Sequence, residues 1–263
     1  MSTLSLAVAD STTMLRRQLL HMRRYASMTL MLVGLPVVLL LMFVYIFGGT
    51  LGAGLGGPAG GRADYANYVT PGILLITIAS VAQATAISVA MDMTEGIIAR
   101  FRTMAIFRPS VLTAHVLGSF ILTMLSVTVV IGAALLVGFR PDAEPVEWLA
   151  AYGVIGMATL AVTWLCVALG LVSKSVEAAS NVPMPLMLLP FFGSGFVPTE
   201  SMPTAARWFA DYQPFTPVME TLRGLLLGSP IGNNALIAAA WCAGITVVCF
   251  LWSRRLYNRD PSR

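Results

Sequence analysis

The stretch that decides the fold is residues 65–91, YANYVTPGILLITIASVAQATAISVAM, which contains no Asp, Glu, Lys or Arg. About 20 apolar residues in a helix are enough to cross the hydrocarbon core of a bilayer. Further stretches are equally free of charged residues, at 25–61, 109–139, 148–173, 178–199 and 224–253. A soluble core would instead scatter its charges along exposed helix faces. The pattern therefore predicts an all-α polytopic membrane protein.

Six transmembrane helices are expected within these stretches, joined by short charged connections. Their predicted spans are residues 28–47, 68–91, 111–139, 148–172, 178–197 and 235–252. The transmembrane domain then covers residues 28–257, and residues 258–263 form a short cytoplasmic tail. In a chain of 263 residues this leaves no room for a separate soluble domain of ordinary size.

Residues 1–27 are predicted to form an amphipathic helix on the cytoplasmic face of the membrane. Apolar side chains recur on one stripe, and arginines that can meet anionic headgroups occupy the opposite flank. The stripe consists of Leu15, Leu19, Met22 and Ala26, and the flank of Arg16, Arg17, Arg23 and Arg24. The alternative is a basic leader that only orients the first span.

The charges outside the apolar stretches set the orientation. Only 11% of the residues are charged, while 57% are hydrophobic and the mean hydropathy is +0.80. With a cytoplasmic N-terminus and six spans, most of the 16 Lys and Arg residues fall on the cytoplasmic side. This distribution satisfies the positive-inside rule, so both termini are expected in the cytoplasm.

Three prolines interrupt the fifth predicted span, at residues 183, 185 and 190. A membrane helix tolerates proline only where neighbouring protein or water satisfies the freed carbonyl groups. This span is therefore expected to be kinked and buried in the bundle.

The segment between the fifth and sixth spans, residues 197–232, is too long for a turn and only partly apolar. It is predicted to contain two short helices, at 204–211 and 218–227. Neither is long enough to span a bilayer, so both are expected to be re-entrant or interfacial helices of the outer leaflet.

The chain carries no recognisable catalytic or metal-binding motif. Lys174 lies in the sequence GLVSKS, which lacks the glycine that precedes the lysine of a nucleotide-binding loop. His21 and His115 have no sequence partners for metal binding or nucleophilic catalysis. We therefore expect no catalytic residue, no metal, no cofactor bound by this chain and no nucleic-acid partner.

The middle of each predicted span is free of Asp, Glu, Lys and Arg. Ion-coupled carriers usually hold an ionisable residue near the membrane midplane. An ion-coupled carrier and a membrane-embedded lipid-modifying enzyme are therefore kept only as alternatives. Uphill transport by this chain would need an outside source of energy.

The predicted cytoplasmic loop between the second and third spans is where such energy could enter. As a short helix it would place Ile97, Phe101 and Met104 on one face, with Arg100 and Arg102 at the rim. A hydrophobic groove on a partner could take that face. The alternative is a solvated loop that lies on the lipid headgroups.

Small polar residues form stripes on three predicted spans, and Met and Phe residues lie on the fifth. One interpretation is a weakly polar path for a hydrophobic or amphipathic substrate, such as a drug, a lipid or a lipid-like metabolite. Its candidate residues are Gln83, Thr123, Thr163, Met187 and Phe191. The other interpretation is that such residues only let helices approach and hydrogen-bond to each other, or pack against them.

Two blocks of sequence resemble those of type-2 ABC exporter permeases, in particular the daunorubicin-resistance-like branch. The first block is EGIIARFR at residues 95–102, which is similar to the family's signature after the second span. The second is GFVPTESMP at 195–203, followed by PFTPVMETLR at 214–223, which is similar to the family's segment between the fifth and sixth spans. Ala105 departs from the pattern, because relatives often have a proline after the first block.

The resemblance implies a permease subunit of an ATP-driven exporter in the bacterial plasma (inner) membrane. Such a subunit works as a pair, either a homodimer or a heterodimer of homologous permeases, surrounded by membrane lipids. Two copies of a separate ATPase subunit, which binds ATP and magnesium, would dock beneath it. The residues that couple to the ATPase would be Glu95, Gly96, Ile97, Arg100, Phe101 and Arg102. The outer gate would be formed by Pro198, Met202, Pro203, Pro214, Glu220 and Arg223.

Overall fold

The apolar stretches fold into helices, as the sequence predicts. A computed structural model describes residue 16 and residues 26–54, 61–94 and 109–258. Regular structure within these ranges is entirely helical. The predicted amphipathic helix at 1–27 overlaps them only at residues 16, 26 and 27, and the predicted coupling residues 95–102 lie outside the described residues.

Ten α-helices are described, together with a π-helical turn at Phe43–Phe47 and 3-10 turns at Leu189–Phe192 and Thr199–Ser201. In chain order the helices are α1 (Ala26–Met42), α2 (Gly48–Gly54), α3 (Arg62–Thr94), α4 (Pro109–Val137), α5 (Pro145–Val172), α6 (Val176–Asn181), α7 (Met184–Leu188), α8 (Thr204–Tyr212), α9 (Phe215–Leu227) and α10 (Asn234–Asn258).

Five helical stretches in the described part of the chain are long and apolar enough to cross a membrane, judged by length and composition. They are the continuous stretch from α1 through the π-helical turn to α2, and the single helices α3, α4, α5 and α10. They coincide with five of the six predicted spans. The chain is therefore a multi-pass, all-helical membrane protein.

The fifth predicted span, residues 178–197, is not a continuous helix. Its residues form α6, α7 and the first 3-10 turn, which ends at Phe192. Proline lacks a backbone N–H, and its ring clashes with the preceding turn, so the three prolines break the helix instead of only kinking it. Within the single chain the segment is only partly buried, because several large side chains on it are exposed. These are Val182, Met184, Leu188 and Phe192.

The two short helices expected between residues 197 and 232 are confirmed as α8 and α9. α9 ends at Leu227, and the φ of +70° at the next residue, Gly228, is the left-handed conformation common just past a helix end. Their re-entrant or interfacial position in the outer leaflet stays a prediction.

α3 lies at the centre of the bundle. Of its most apolar 18 residues 78% are buried, against 17% for the first span and for α10. α3 packs against α1, α4 and α5, and α5 packs against α10. Glycine allows the closest of these approaches, because a Cβ on Gly170 of α5 would lie 2.6 Å from the backbone oxygen of Ala86 on α3. The exposed apolar side chains of α1 and α10 suit a lipid environment.

Candidate functional site

The end of α3 that is predicted to face outside is held by a buried arginine from α9. Arg223 is 8% exposed, and its Nη2 donates hydrogen bonds to the backbone oxygens of Ser194 at 2.8 Å and Tyr68 at 3.2 Å. Its Nη1 donates to Glu220 Oε1 at 2.5 Å, and its guanidinium carbon lies 4.1 Å from the centre of the Tyr68 ring. A planar guanidinium can make these bonds and stack on a ring at the same time, which an ammonium group cannot. Arg223 therefore ties α3, α9 and the connection after the first 3-10 turn together.

Two glycines allow that connection to lie directly on α3. A Cβ on Gly72 would come within 2.8 Å of the backbone oxygen of Gly195. A Cβ on Gly195 would in turn lie 2.8 Å from Met219 Sδ and from the backbone oxygen of Pro190. No larger residue fits either position without movement of the backbone. The close approach brings the backbone of Ser194 within reach of Arg223.

A cavity of about 900 Å³ lies beside Arg223. This volume is within the range of sites that bind drug-sized molecules. The wall combines carboxylates with aromatic rings, and Arg223 contributes a basic group. The carboxylates are those of Glu200, Asp211 and Glu220, and the rings are those of Tyr68, Tyr212 and Trp241.

The structure brings some predicted gate residues together and separates others. Pro198, Glu220 and Arg223 line the cavity. Met202 is half-buried and Pro203 is exposed, and neither lines the cavity. Pro214 lines a separate apolar pocket of about 60 Å³ between α3, α5, α7, α9 and α10. That pocket is too small for a drug-sized molecule.

The predicted path residues fall into two groups. Gln83 on α3 is half-buried, and its Nε2 donates to the backbone oxygen of Ser180 on α6 at 2.6 Å. Thr123 and Thr163 are buried, and both contact Ser119: Thr123 donates to its backbone oxygen at 2.8 Å, and Thr163 Oγ1 lies 3.5 Å from its Oγ. Thr163 therefore lies in the α4–α5 interface, and Thr123 is a buried residue whose hydroxyl is satisfied within α4. Gln83 holds the broken segment against α3.

An aromatic cluster joins the first span to the broken segment. The Phe191 ring stacks on Phe196 with centroids 4.4 Å apart and 8° between the planes. The Phe43 ring, in the π-helical turn, lies 4.6 Å from Phe196. Single π-helical turns often occur at functional sites. Met187 is half-buried one turn before Phe191.

At the opposite end of α3 a carboxylate and an imidazole meet inside the protein. Asp92 Oδ2 lies 3.0 Å from His115 Nε2 on α4, and the two residues are 8% and 4% exposed. An ionised carboxylate only accepts hydrogen bonds, so this contact with an ionised Asp92 requires the His115 tautomer that carries a proton on Nε2. The pair lies at the base of the segment 95–108 that carries the predicted coupling residues.

Sequence reasoning missed the Asp92–His115 pair and the burial of Arg223. Hydropathy places both ends of α3 at the membrane boundary, where charged residues are ordinary, so it gives no sign of a buried contact. Two signals were available. Glu220 and Arg223 have the i, i+3 spacing of a helical ion pair. Asp92 and His115 lie on the two helices that precede and follow residues 95–108.

The remaining ionisable and sulfur groups do not form a reactive cluster in the part of the chain that the structure describes. No group of three or more His, Cys, Asp or Glu residues there is placed to hold a metal ion. Cys166, Cys242 and Cys249 are free and buried. The pKa of the Glu177 carboxyl lies below its ordinary value because its own backbone amide and the Ser175 hydroxyl hydrogen-bond to it. Such a shift belongs to the capped start of α6.

Comparison with known proteins matches residues 11–227 to the family described as ABC-2 type transporter. The chain is 26% identical over 254 residues to the daunorubicin resistance ABC transporter permease protein DrrB1 of Streptomyces coeruleorubidus, which covers 96% of this chain and 87% of that protein. It is also 26% identical over 167 residues to the probable doxorubicin resistance ABC transporter permease protein DrrC of Mycobacterium tuberculosis, covering 62% of this chain and 59% of the relative. The predicted resemblance is confirmed, and the chain belongs to the ABC-2 type transporter family.

Proposed function

We propose that this chain is the membrane-spanning permease subunit of an ATP-driven exporter in the bacterial plasma membrane. It moves a hydrophobic or amphipathic substrate outward, with both of its termini in the cytoplasm. The family match supports the permease assignment. Support for export comes from the two relatives, which are named for resistance to daunorubicin and doxorubicin.

The observation that carries the proposal is the exposed, proline-broken segment from α6 to Phe192, which begins beside α3 and ends near the gate cavity. One side of this segment packs on α3, while Met184 and Phe192 on it are more than half exposed. Interrupted backbone at membrane depth is tolerated only against protein or a water-filled cavity. A position facing lipid would leave the freed carbonyl groups without donors.

We assign the exposed side of this segment to a substrate path that is shared with a second permease, either a copy of this chain or a homologue. Met187 and Phe191 then present an adaptable apolar surface to the substrate. Gln83 holds the segment in place through Ser180. In this arrangement Thr123 and Thr163 are buried residues that stabilise the helices next to the path.

The gate in this proposal is the segment from residue 197 to residue 232, with α8 and α9 dipping into the outer leaflet. The cavity beside Arg223 forms the outer end of the path. Its carboxylates and rings suit the polar and apolar parts of an amphipathic molecule.

The energy in this proposal comes from two copies of a separate ATPase subunit that bind ATP and magnesium. They grip the segment Glu95–Arg102, where Ile97 and Phe101 enter a hydrophobic groove and Arg100 pairs at its rim. The N-terminal amphipathic helix at 1–27 provides a second contact.

The buried Asp92–His115 pair favours one second candidate, an ion-coupled carrier, because buried ionisable residues in membrane helices often mark ion pathways. Asp92 lies only two residues before the end of α3, away from the midplane. This position makes the carrier the weaker candidate.

Transport into inside-out membrane vesicles distinguishes the two functions. Daunorubicin serves as a fluorescent probe, and uptake is measured with ATP and magnesium or with an imposed proton gradient. The exporter predicts uptake that needs ATP and is lost in the Glu95→Arg and Arg100→Glu variants, although both insert normally. The Thr85→Val variant, a buried helix-internal change, serves as the matched control. Uptake driven by the gradient alone, or normal ATP-driven uptake in both charge-reversal variants, would contradict the assignment.

A further inference from the structure

We propose that Asp92 and His115 form a positioning pair, which we call the brace. The brace joins the end of α3 to the start of α4, on either side of residues 95–108. The pair makes α3 and α4 respond together when the ATPase moves that segment. This inference rests on the proposed function. Asp92 and His115 are then the residues that transmit a movement of the coupling segment to α3 and α4.

The geometry places the brace at the base of the segment. Asp92 lies two residues before the end of α3, and His115 is in the second turn of α4. Their side chains join at 3.0 Å across 23 positions of sequence. The two helix ends on either side of residues 95–108 are therefore linked to each other by a side-chain contact.

Stability alone does not account for the pair. Taking a carboxylate and an imidazole out of water costs several kcal/mol, and a well-packed apolar pair of similar volume is often equally stable. A directional hydrogen bond, in contrast to an apolar contact, fixes how far one helix can slide along the other. The pair therefore contributes registry between α3 and α4.

A buried apolar cluster contains residues one helical turn from the pair on α3 and α4, and it includes the end of α10. Val89, Leu112 and Val116 pack with Tyr257, which is 4% exposed. Asp92 and His115 are themselves 8% and 4% exposed, and a hydrogen bond in such buried surroundings is stronger than in water. Three helices are therefore fixed together at the cytoplasmic end.

α3 continues from this brace to the gate. At its other end the backbone oxygen of Tyr68 accepts the hydrogen bond from Arg223. A rise of 1.5 Å per residue places Tyr68 and Asp92 roughly 36 Å apart along the helix. One buried helix thus links a polar contact at the coupling end to a polar contact at the gate.

The test measures coupling without reference to any substrate. The complex with its ATPase is placed in lipid vesicles, and the Tyr212→Cys variant reports on the gate cavity through its rate of labelling by an impermeant maleimide. Tyr212 is 67% exposed and lines the cavity, whereas the three native cysteines are buried. With the brace intact, ATP and magnesium should change the labelling rate by about fivefold or more, the lower end of typical coupling free energies.

The decisive variant carries Asp92→Val together with His115→Leu, which replaces the pair by apolar groups. We expect it to remain folded, bind the ATPase and hydrolyse ATP, but to show less than about a twofold ATP effect on labelling. A milder variant, His115→Gln, keeps a donor and should lose part of the effect. Thr85→Val on the same helix should keep all of it.

An unchanged ATP effect in both brace variants would overturn the inference and leave the proposed function standing. If the double variant does not fold, an unchanged effect in His115→Gln is sufficient to overturn it. If ATP has no effect even with the brace intact, the proposed function itself fails.

Discussion

Arg223 shows how one side chain can join several elements in a chain with few charges. Its guanidinium makes three hydrogen bonds and a ring contact, and these reach α3, α9 and the connection at Ser194. Breaking a buried ion pair from one side is costly because the remaining groups lose their partners. The exposed pair Arg207–Asp211 offers a comparison within the same region, with its atoms 3.6 Å apart and both side chains more than 40% exposed.

The Arg223→Gln variant should therefore lower the free energy of unfolding by about 3 kcal/mol or more. Arg223→Lys should recover only part of this loss, because an ammonium group cannot reproduce the fork of donors and the stacking on Tyr68. The Arg207→Gln control should cost less than about 1 kcal/mol. Thermal unfolding of the detergent-solubilised protein measures all three variants. Equal losses of unfolding free energy for Arg223→Gln and Arg207→Gln would contradict the stabilising role of the buried Arg223 contacts.

Hydropathy could not distinguish these single residues. It records that Arg223 and Asp92 lie near the ends of apolar stretches, which is where most charges of a membrane protein lie. Whether such a charge faces headgroups or a neighbouring helix depends on the rotation of that helix and on the packing around it. The predicted gate set therefore combined Arg223, which is buried, with Pro203, which is exposed.

At the scale of elements, α3 is the central helix, and most of the other elements pack against it. It packs against α1, α4, α5 and the broken segment, and Gly170 allows the close approach of α5. Five spans could be predicted directly from the sequence. A long charge-free run in a membrane must satisfy its own backbone hydrogen bonds, and a helix does this within one segment. The fifth stretch is not one continuous helix, because three prolines within eight residues remove N–H donors that hydropathy does not count.

Glycine substitutions test the packing of α3 against α5. A Cβ on Gly170 would lie 2.6 Å from a backbone oxygen, so Gly170→Ala should destabilise the protein by about 1–3 kcal/mol through displacement of α3. Gly153, on the same helix, has no atom within 4 Å of such a Cβ. Gly153→Ala should be neutral or stabilise the helix by up to about 1 kcal/mol. Thermal unfolding of both variants provides the comparison, and a neutral Gly170→Ala would show that the two helices are not this close.

At the scale of the whole molecule, two buried polar contacts lie at opposite ends of one helix. Arg223 binds α3 at Tyr68, and His115 binds it at Asp92. In the described part of the chain, the exposed broken segment lies between these ends, and the cavity lies next to Arg223. This arrangement places the energy input, the substrate path and the gate of the proposed exporter around a single buried helix.

The central claim is that a separate ATPase drives this permease, and the most direct measurement is the composition of the native complex. The chain is purified in mild detergent from its own membrane, and the proteins that accompany it are identified and counted by mass spectrometry. The account predicts an ABC ATPase in equal amount to the permease, alone or with one homologous permease as the second subunit. Recovery of the chain without any ATPase, under conditions in which a known ABC complex purified in parallel stays intact, would contradict it.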